Sequence, residues 1–376
     1  MQFPFRRAPA SPAPMPMLSL PGKRPQGFAE DTSAAEEDGD LRNLMRCRAY
    51  LVETYSDKKG AAAMRGDLLR EYVRELDAVA PRFAEAAGRH RLCFAWRDAG
   101  TIRRRTHTAL PAERAAALFA LATEQARVAA EEDRRGADGI RRACAALCDA
   151  AGLLRAASEG EGGGDHAAGC QLRHMSGACM AAFEALMLAQ ALECYFELAV
   201  AGGKPAALCA KVAQQVGQDY DLAHRSMAAP ELHQLDKSWP ATAQAKAAYF
   251  RAEACLRSAR LLRDNGDGAG DGVGVAIARL RQGLAALEGA KGALGRVSAP
   301  VRDAVKRLRK EVEADLAAAE QDNCRIYYAR VPTAAALAEL PGLPQQLVRP
   351  TDVEKVLVRG AEGKAPAAEQ KRASLD

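Results

Sequence analysis

The spacing of hydrophobic residues predicts a chain built mostly from helices. Leu69, Val73 and Leu76 recur every three or four residues before Pro81. This spacing places the three side chains on one face of a helix, and the proline ends that helix. The same period predicts further helices near 41–57, 111–132, 139–158, up to 200, 205–227, 241–263, 273–294 and 300–321. Helical hairpins that follow one another every 35 to 40 residues or so suggest a tetratricopeptide-like stack.

One short segment has a different period. Leu92, Phe94 and Trp96 alternate with more polar residues, which is the pattern of a strand. We expect this strand to form a hairpin with residues around 106–110. Aromatic residues make up only 5% of the chain, and helix formers such as Ala, Leu and Arg are abundant. The predicted fold class is therefore all-α with a small β-hairpin.

Two apolar helices meet at a tight turn in the middle of the chain. The Gly-Gly pair at 202–203 supplies the backbone freedom that ends a helix, and Pro205 is suited to begin the next one. Tyr195 lies in the last two turns of the first helix, while Leu208 and Val212 are one turn apart on the second. These apolar side chains are either ordinary core or the walls of a groove that another helix fills.

The two ends of the chain differ in composition from its middle. Residues 1–40 are rich in proline and then acidic, which predicts a disordered leader, and residues 351–376 read as a polar tail. No apolar run approaches the roughly 20 residues of a membrane-spanning helix, so none is expected. Ten cysteines occur without CxxC pairs, which is typical of reduced, buried thiols in a cytosolic protein.

Charge gives little evidence for a nucleic-acid partner. The net charge is +5, from 53 basic and 48 acidic residues. A basic run at Arg103–Arg105 is either a solvated loop or a weak contact with an anionic membrane surface. No aromatic residues alternate with these arginines, as readers of single strands require.

Neither a catalytic motif nor a metal site is expected. The chain contains no GxSxG, HExxH, GxxxxGK or GxGxxG pattern. His166, Cys170, His174 and Cys179 have the composition of a metal site. On one helix, however, the two histidines would be about 12 Å apart along the axis, which is too far for one zinc ion. We therefore predict no enzyme activity and no cofactor.

Eight segments, in order and with similar gaps, resemble the Bro domain family, whose members associate with the ESCRT machinery. The resemblance covers about residues 41–350, which predicts a single-module member with one helical domain over that range. The segments are CFAWRDA, ERAAALFALATEQARVAA, GIRRACAALCDAAGLLRAASE, LMLAQALECYF, AKVAQQVGQDYDLA, AKAAYFRAEA, VAIARL and AAEQDNCRIYYARVP.

The resemblance implies both a shape and a partner. Members have a curved, boomerang-like helical fold with a tetratricopeptide-like core, and they bind the C-terminal amphipathic helix of an ESCRT-III subunit, a charged multivesicular body protein, in a hydrophobic groove. In this chain the matching groove residues are Tyr195, Leu208 and Val212, and Arg141 matches a basic contact. The implied function is a cytoplasmic adaptor, recruited to endosomes for multivesicular body sorting. The alternative is a helical scaffold that binds a different peptide.

Overall fold

A computed structural model shows a mainly helical protein with one small sheet. It describes residues 14–28, 39, 41–56, 62–82, 92–98, 101–159, 174–264 and 271–359. The strands are β1 (Lys23–Gln26), β2 (Phe94–Asp98) and β3 (Arg104–His107). The helices are α1 (Arg42–Ser56), α2 (Ala62–Val79), α3 (Leu110–Glu131), α4 (Ala137–Glu159), α5 (Gly177–Ala201), α6 (Ala206–Ser226), α7 (Ser238–Asp264), α8 (Asp271–Gly289), α9 (Ala299–Asp322) and α10 (Val353–Val358). The predicted fold class, all-α with a β-hairpin, is confirmed.

The chain divides into two compact units. One comprises the described residues of 1–18, 129–145 and 188–348, and the other the described residues of 19–128, 146–187 and 349–376. We call the first the groove unit and the second the sheet unit. In the groove unit, α6 packs on α7, α7 on α8, and α9 on both α7 and α8. Neighbours in sequence are thus neighbours in space, as the tetratricopeptide-like prediction requires.

The sheet unit contains an antiparallel sheet in the order β1–β2–β3. A hairpin of β2 and β3 forms as predicted, with Phe94 opposite His107, but its second strand runs over Arg104–His107 and not over 106–110, because Leu110 already begins α3. Beside the sheet, a buried carboxylate of Glu113 accepts hydrogen bonds from Tyr72 at 2.7 Å and from Trp96 Nε1 at 2.7 Å, and it pairs with Arg48. Burial alone would raise the pKa of Glu113, but Arg48 and the hydrogen bond to His107 lower it to about 2.

The prediction of a disordered leader is wrong for residues 14–28. Met15, Met17 and Leu20 are buried, and β1 pairs with β2 from Lys23↔Asp98 to Gln26↔Ala95. Local composition is proline-rich, but these few apolar side chains find partners that lie far along the chain. The remaining residues of the predicted leader lie outside the described part, apart from residue 39.

The predicted polar tail also begins with ordered structure. Thr351 donates its backbone N–H to Cys148 O at 2.9 Å, and a Cβ atom on Gly152 would clash with the Thr351 carbonyl oxygen. Helix α10 follows, and its Val356 and Leu357 are buried. The tail prediction is therefore wrong for residues 351–359, whereas residues 360–376 lie outside the described part.

Helix α5 meets the length and hydropathy of a membrane span, contrary to the expectation that no segment would. However, 72% of its apolar 18-residue stretch is buried inside the structure. A core helix that is mostly buried meets the same criterion, so this is weak evidence for a membrane.

Candidate functional site

The turn between α5 and α6 fixes the hairpin on which the predicted groove residues lie. Gly203 has a positive φ of 63°, which favours glycine. Lys204 N donates to Ala199 O at 2.9 Å, and Gly203 N donates to Val200 O at 3.1 Å. These two bonds form a Schellman motif, in which a left-handed residue closes the last turn of a helix. Pro205 occupies the N-cap position of α6, so the helix begins at Ala206 and not, as the sequence indicated, at Pro205.

Tyr195 and Leu208 are partly open to solvent. Tyr195 is half-buried although its neighbours Cys194 and Phe196 are buried, so it faces outward from α5. Leu208 is half-buried in the first turn of α6. Lys211, about one turn on from Leu208, is exposed. The structure thus leaves two of the three predicted apolar side chains accessible on this hairpin.

Val212 departs from the expectation of an open side chain, because it is 0% exposed. It belongs with Cys209, Val216 and Tyr220 to the buried face of α6. Leu208 and Val212 lie one turn apart, so helical spacing alone could not separate the exposed residue from the buried one. Val212 packs inside the groove unit and offers no surface to a partner in this conformation.

Arg141 lies on the first turns of α4 and remains accessible. Its side chain is 64% exposed, and one guanidinium nitrogen pairs with Asp138 at 2.7 Å. Ion pairs between exposed side chains contribute little to stability, so an acid on a partner could replace Asp138 at small cost. The neighbouring Arg142 is paired with Glu132 through two hydrogen bonds of 2.8 Å.

A buried charge cluster lies behind the hairpin and was not predicted. Lys246 Nζ contacts Glu193 at 2.9 and 3.2 Å and Tyr220 Oη at 3.3 Å. Arg134 reaches Glu193 at 3.8 Å and Glu197 at 2.7 Å. The cluster joins α5, α6, α7 and the turn before α4. The available sequence signal was the isolated charge of Glu193 and Lys246 within apolar helices.

Glu197 is the member of this cluster whose carboxylate is only partly hydrogen-bonded. Burial and the charge of Glu193 raise the pKa of Glu197 to about 7, although Arg134 opposes the shift. Its Oε2 atom is buried and has no hydrogen-bond partner within the described residues. The N-terminal segment lies close by, since Arg134 also donates to Met15 O.

A cavity of about 310 Å³ lies further from the turn, against the same two helices. Leu192, Gln215 and Asp219 line one side, and residues 343–348 line the other. Burial raises the pKa of Asp219, and a hydrogen bond from Gln215 at 2.9 Å opposes this. Residues 343–348 therefore lie against α5 and α6 at Leu192, Gln215 and Asp219.

The predicted metal-like set is only half described. His166 and Cys170 lie outside the described residues, whereas His174 packs edge-on to Phe183 and Cys179 is buried. Within the described ranges, no group of three or more His, Cys, Asp or Glu side chains is placed to hold a metal ion. The nine cysteines in those ranges are all in the reduced thiol form.

The packed helices, the small sheet and the accessible hairpin face define a mainly helical domain with one antiparallel sheet. A family model described as BRO1-like domain matches residues 26–373, and the chain belongs to this family. The match begins in β1, in keeping with the ordered structure found before residue 41.

Some of the similar proteins are named for vacuolar sorting, and others are not. The vacuolar-sorting protein BRO1 of Arabidopsis thaliana is 32% identical over 325 residues, covering 85% of this chain and 37% of that protein. Human Rhophilin-1 is 32% identical over 248 residues, covering 63% of this chain and 35% of that protein. The chain thus spans about a third of the length of these relatives.

Solved structures share the fold. The complex of the ALIX BRO1 domain with CHMP4C matches with a TM-score of 0.74 at 20% identity, covering 92% of this chain and 98% of that one. A Bro1 domain structure described as the basis for endosomal targeting matches with a TM-score of 0.72 at 16% identity, covering 91% and 95%. At these identities the likeness establishes the fold and leaves the partner open.

Proposed function

We propose that this domain binds the C-terminal amphipathic helix of an ESCRT-III subunit and acts as an adaptor in endosomal sorting. The observation that carries the proposal is the accessible apolar pair, Tyr195 and Leu208, on a hairpin held by the Gly203 turn. Membership of the BRO1-like family and the ALIX BRO1 complex with CHMP4C support this choice of partner. Relatives named for vacuolar sorting support the process.

The mechanism is helix-in-groove recognition, in which apolar anchors repeat along one face of the incoming helix. These anchors lose water against Tyr195 and Leu208, while the tyrosine hydroxyl stays at the wet rim. Val212 supports the groove from below, because it is buried. Arg141 exchanges Asp138 for an acid of the partner, which sets orientation and association rate more than affinity.

The proposed location follows from the partner. The domain resides in the cytoplasm and reaches endosomes through the ESCRT-III subunit. A relative's solved structure described by endosomal targeting supports this location. Depletion of the ESCRT-III subunit should release a fluorescently tagged chain from endosomes into the cytoplasm.

The decisive experiment is Leu208→Asp, measured by fluorescence anisotropy with a labelled C-terminal ESCRT-III helix. Loss of a central apolar anchor should weaken binding by about 2 kcal/mol or more, which is roughly 30-fold. Residue 208 lies in the first turn of α6, where the helix dipole stabilises an acidic side chain, so the variant should remain folded. Tyr195→Ala is expected to weaken the same interaction.

The matched control is Leu222→Asp on the same helix. Leu222 is 52% exposed and lies about 21 Å further along α6, at 1.5 Å per residue. The Leu222→Asp variant should bind the peptide with the affinity of the native chain. A folded Leu208→Asp protein with unchanged affinity would remove the assignment.

A second candidate is a helical scaffold for a different peptide. The similarity to Rhophilin-1, whose name does not refer to sorting, favours keeping it. A native domain that binds no ESCRT-III helix at concentrations well above the micromolar range would select this alternative. The groove residues would then be tested against helices from other partners.

A further inference from the structure

Three arginines from three strands lie on one rung of the sheet. Arg97 in β2 pairs with Arg24 in β1 on one side and with Arg104 in β3 on the other. Residues directly opposite in antiparallel strands have Cβ atoms about 5 Å apart and share a face. We call Arg24, Arg97 and Arg104 the arginine rung.

The arginine rung faces outward. Arg24 and Arg104 are exposed and Arg97 is half-buried. On the adjacent rung, Pro25 and Trp96 are buried, which places them on the core face. Because side chains alternate between the two faces of a sheet, the three guanidinium groups project from the opposite, outer face.

No acid neutralises the arginine rung within the described residues. None of its members forms an ion pair there, and Arg104 donates one hydrogen bond, to Gly27 O at 2.9 Å. Burial and the charge of Glu124 raise the pKa of Tyr55, and Arg24 is among the charges that oppose the shift. Glu124 itself is already paired with Arg127 at 2.9 Å.

Like charges directly opposite one another destabilise a sheet. An anion that bridges the three groups would reverse this effect. The planar guanidinium group offers several N–H donors in a fixed geometry that matches the oxygen atoms of phosphate. Arginine is accordingly the residue most used for planar, two-point recognition of phosphate.

We propose that Arg24, Arg97 and Arg104 form a binding site for a phosphate-bearing anion on the outer face of the sheet. The site lies in the sheet unit and does not depend on the groove. Its ligand is either a soluble phosphate ester or the phosphorylated headgroup of a lipid. The remainder of the basic run contributes less, since Arg103 precedes β3 and Arg105 pairs with Trp96 on the core-face rung.

The test compares Arg104→Gln with Arg103→Gln in the full chain. Both residues are exposed and adjacent, and each variant loses one positive charge. Binding is measured by calorimetry with inositol trisphosphate, and by co-sedimentation with phosphatidylcholine vesicles containing phosphatidylinositol phosphate. Arg104→Gln should weaken binding about tenfold or more, as expected for a charge-assisted contact, and Arg103→Gln less than about threefold.

Each outcome decides the matter. Arg104-dependent binding of inositol trisphosphate without binding of the vesicles supports a soluble ligand, and Arg104-dependent binding of the vesicles, with or without the free headgroup, supports a lipid headgroup. Equal losses in both variants would mean diffuse charge attraction and would overturn the site. Absence of binding to both probes would also overturn it, as would tighter, Arg104-dependent binding of a single-stranded RNA. Leu208→Asp should leave binding of both probes unchanged, which separates this proposal from the proposed function.

Discussion

Replacing Lys246 by methionine tests whether the buried charge cluster holds the candidate site in place. Methionine keeps most of the length and the apolar stem of the lysine, while it removes the ammonium group. The change leaves Glu193 buried, with Tyr220 and the more distant Arg134 as its remaining partners. Burial lowers the pKa of Lys246 and Glu193 opposes this, so the pair is a desolvated one.

The magnitude follows from the geometry. Removal of one partner from a buried ion pair costs about 3–5 kcal/mol, because the other charge stays buried. At an effective dielectric constant of about 20, the attraction between Glu193 and Lys246 at 2.9 Å is about 6 kcal/mol. The attraction between Glu193 and Arg134 at 3.8 Å is about 4 kcal/mol. Arg134 therefore retains part of the attraction on Glu193. We expect the lower end of the range, about 3 kcal/mol.

Urea unfolding followed by circular dichroism measures the loss, and hydrogen exchange in peptides from α5, α6 and α7 locates it. Lys291→Met is the control, because this lysine is 71% exposed and its pairing with Glu288 should contribute less than about 0.5 kcal/mol. The double variant Glu193→Gln with Lys246→Met should recover stability, since no unpaired charge remains. If the free energy of unfolding of the Lys246→Met variant lies within about 1 kcal/mol of the native value, the reasoning is refuted.

Two further predictions concern buried residues. Val212→Ala removes two fully buried methyl groups and should cost about 2 kcal/mol in urea unfolding, with less than about a twofold change in helix affinity of the folded protein. Unchanged stability with weakened binding would instead mean that Val212 contacts the partner. The carboxylate of Glu113 has a pKa lowered from 4.5 to about 2, so its stabilisation is present above pH 4.5 and lost as pH falls towards 2. The free energy of unfolding measured in urea should fall by about 3 kcal/mol between pH 4.5 and pH 2. The Glu113→Gln variant should lack this pH dependence, and an equal dependence in the variant would contradict the prediction.

Features set by local interactions were predictable from the sequence. Helix α6 was expected at 205–227 and runs from Ala206 to Ser226. The turn before it depends on the backbone freedom of Gly203, and its two closing hydrogen bonds span only a few residues. Strand β2 likewise follows from alternation within a short segment, whereas its partner β3 begins two residues before the predicted position. Such elements need no knowledge of distant contacts.

The N-terminal segment was not predictable in the same way. Average composition predicts disorder for a proline-rich stretch, yet Leu18 and Gln190 exchange two hydrogen bonds across 172 positions of sequence. Met15 and Met17 are buried. The stabilisation comes from contacts with residues that a local window does not contain.

Depth of burial and strand register account for the remaining differences at the two proposed sites. Helical spacing placed Leu208 and Val212 on the same side, but the first turn of α6 is accessible while the next turn is covered. In the basic run, the pleat of β3 sends Arg104 and Arg105 to opposite faces. Only the pairing of three strands then brings Arg104 beside an arginine 80 positions earlier, Arg24, through Arg97. A charged surface of this kind is a property of register, so a search for basic runs underestimates it.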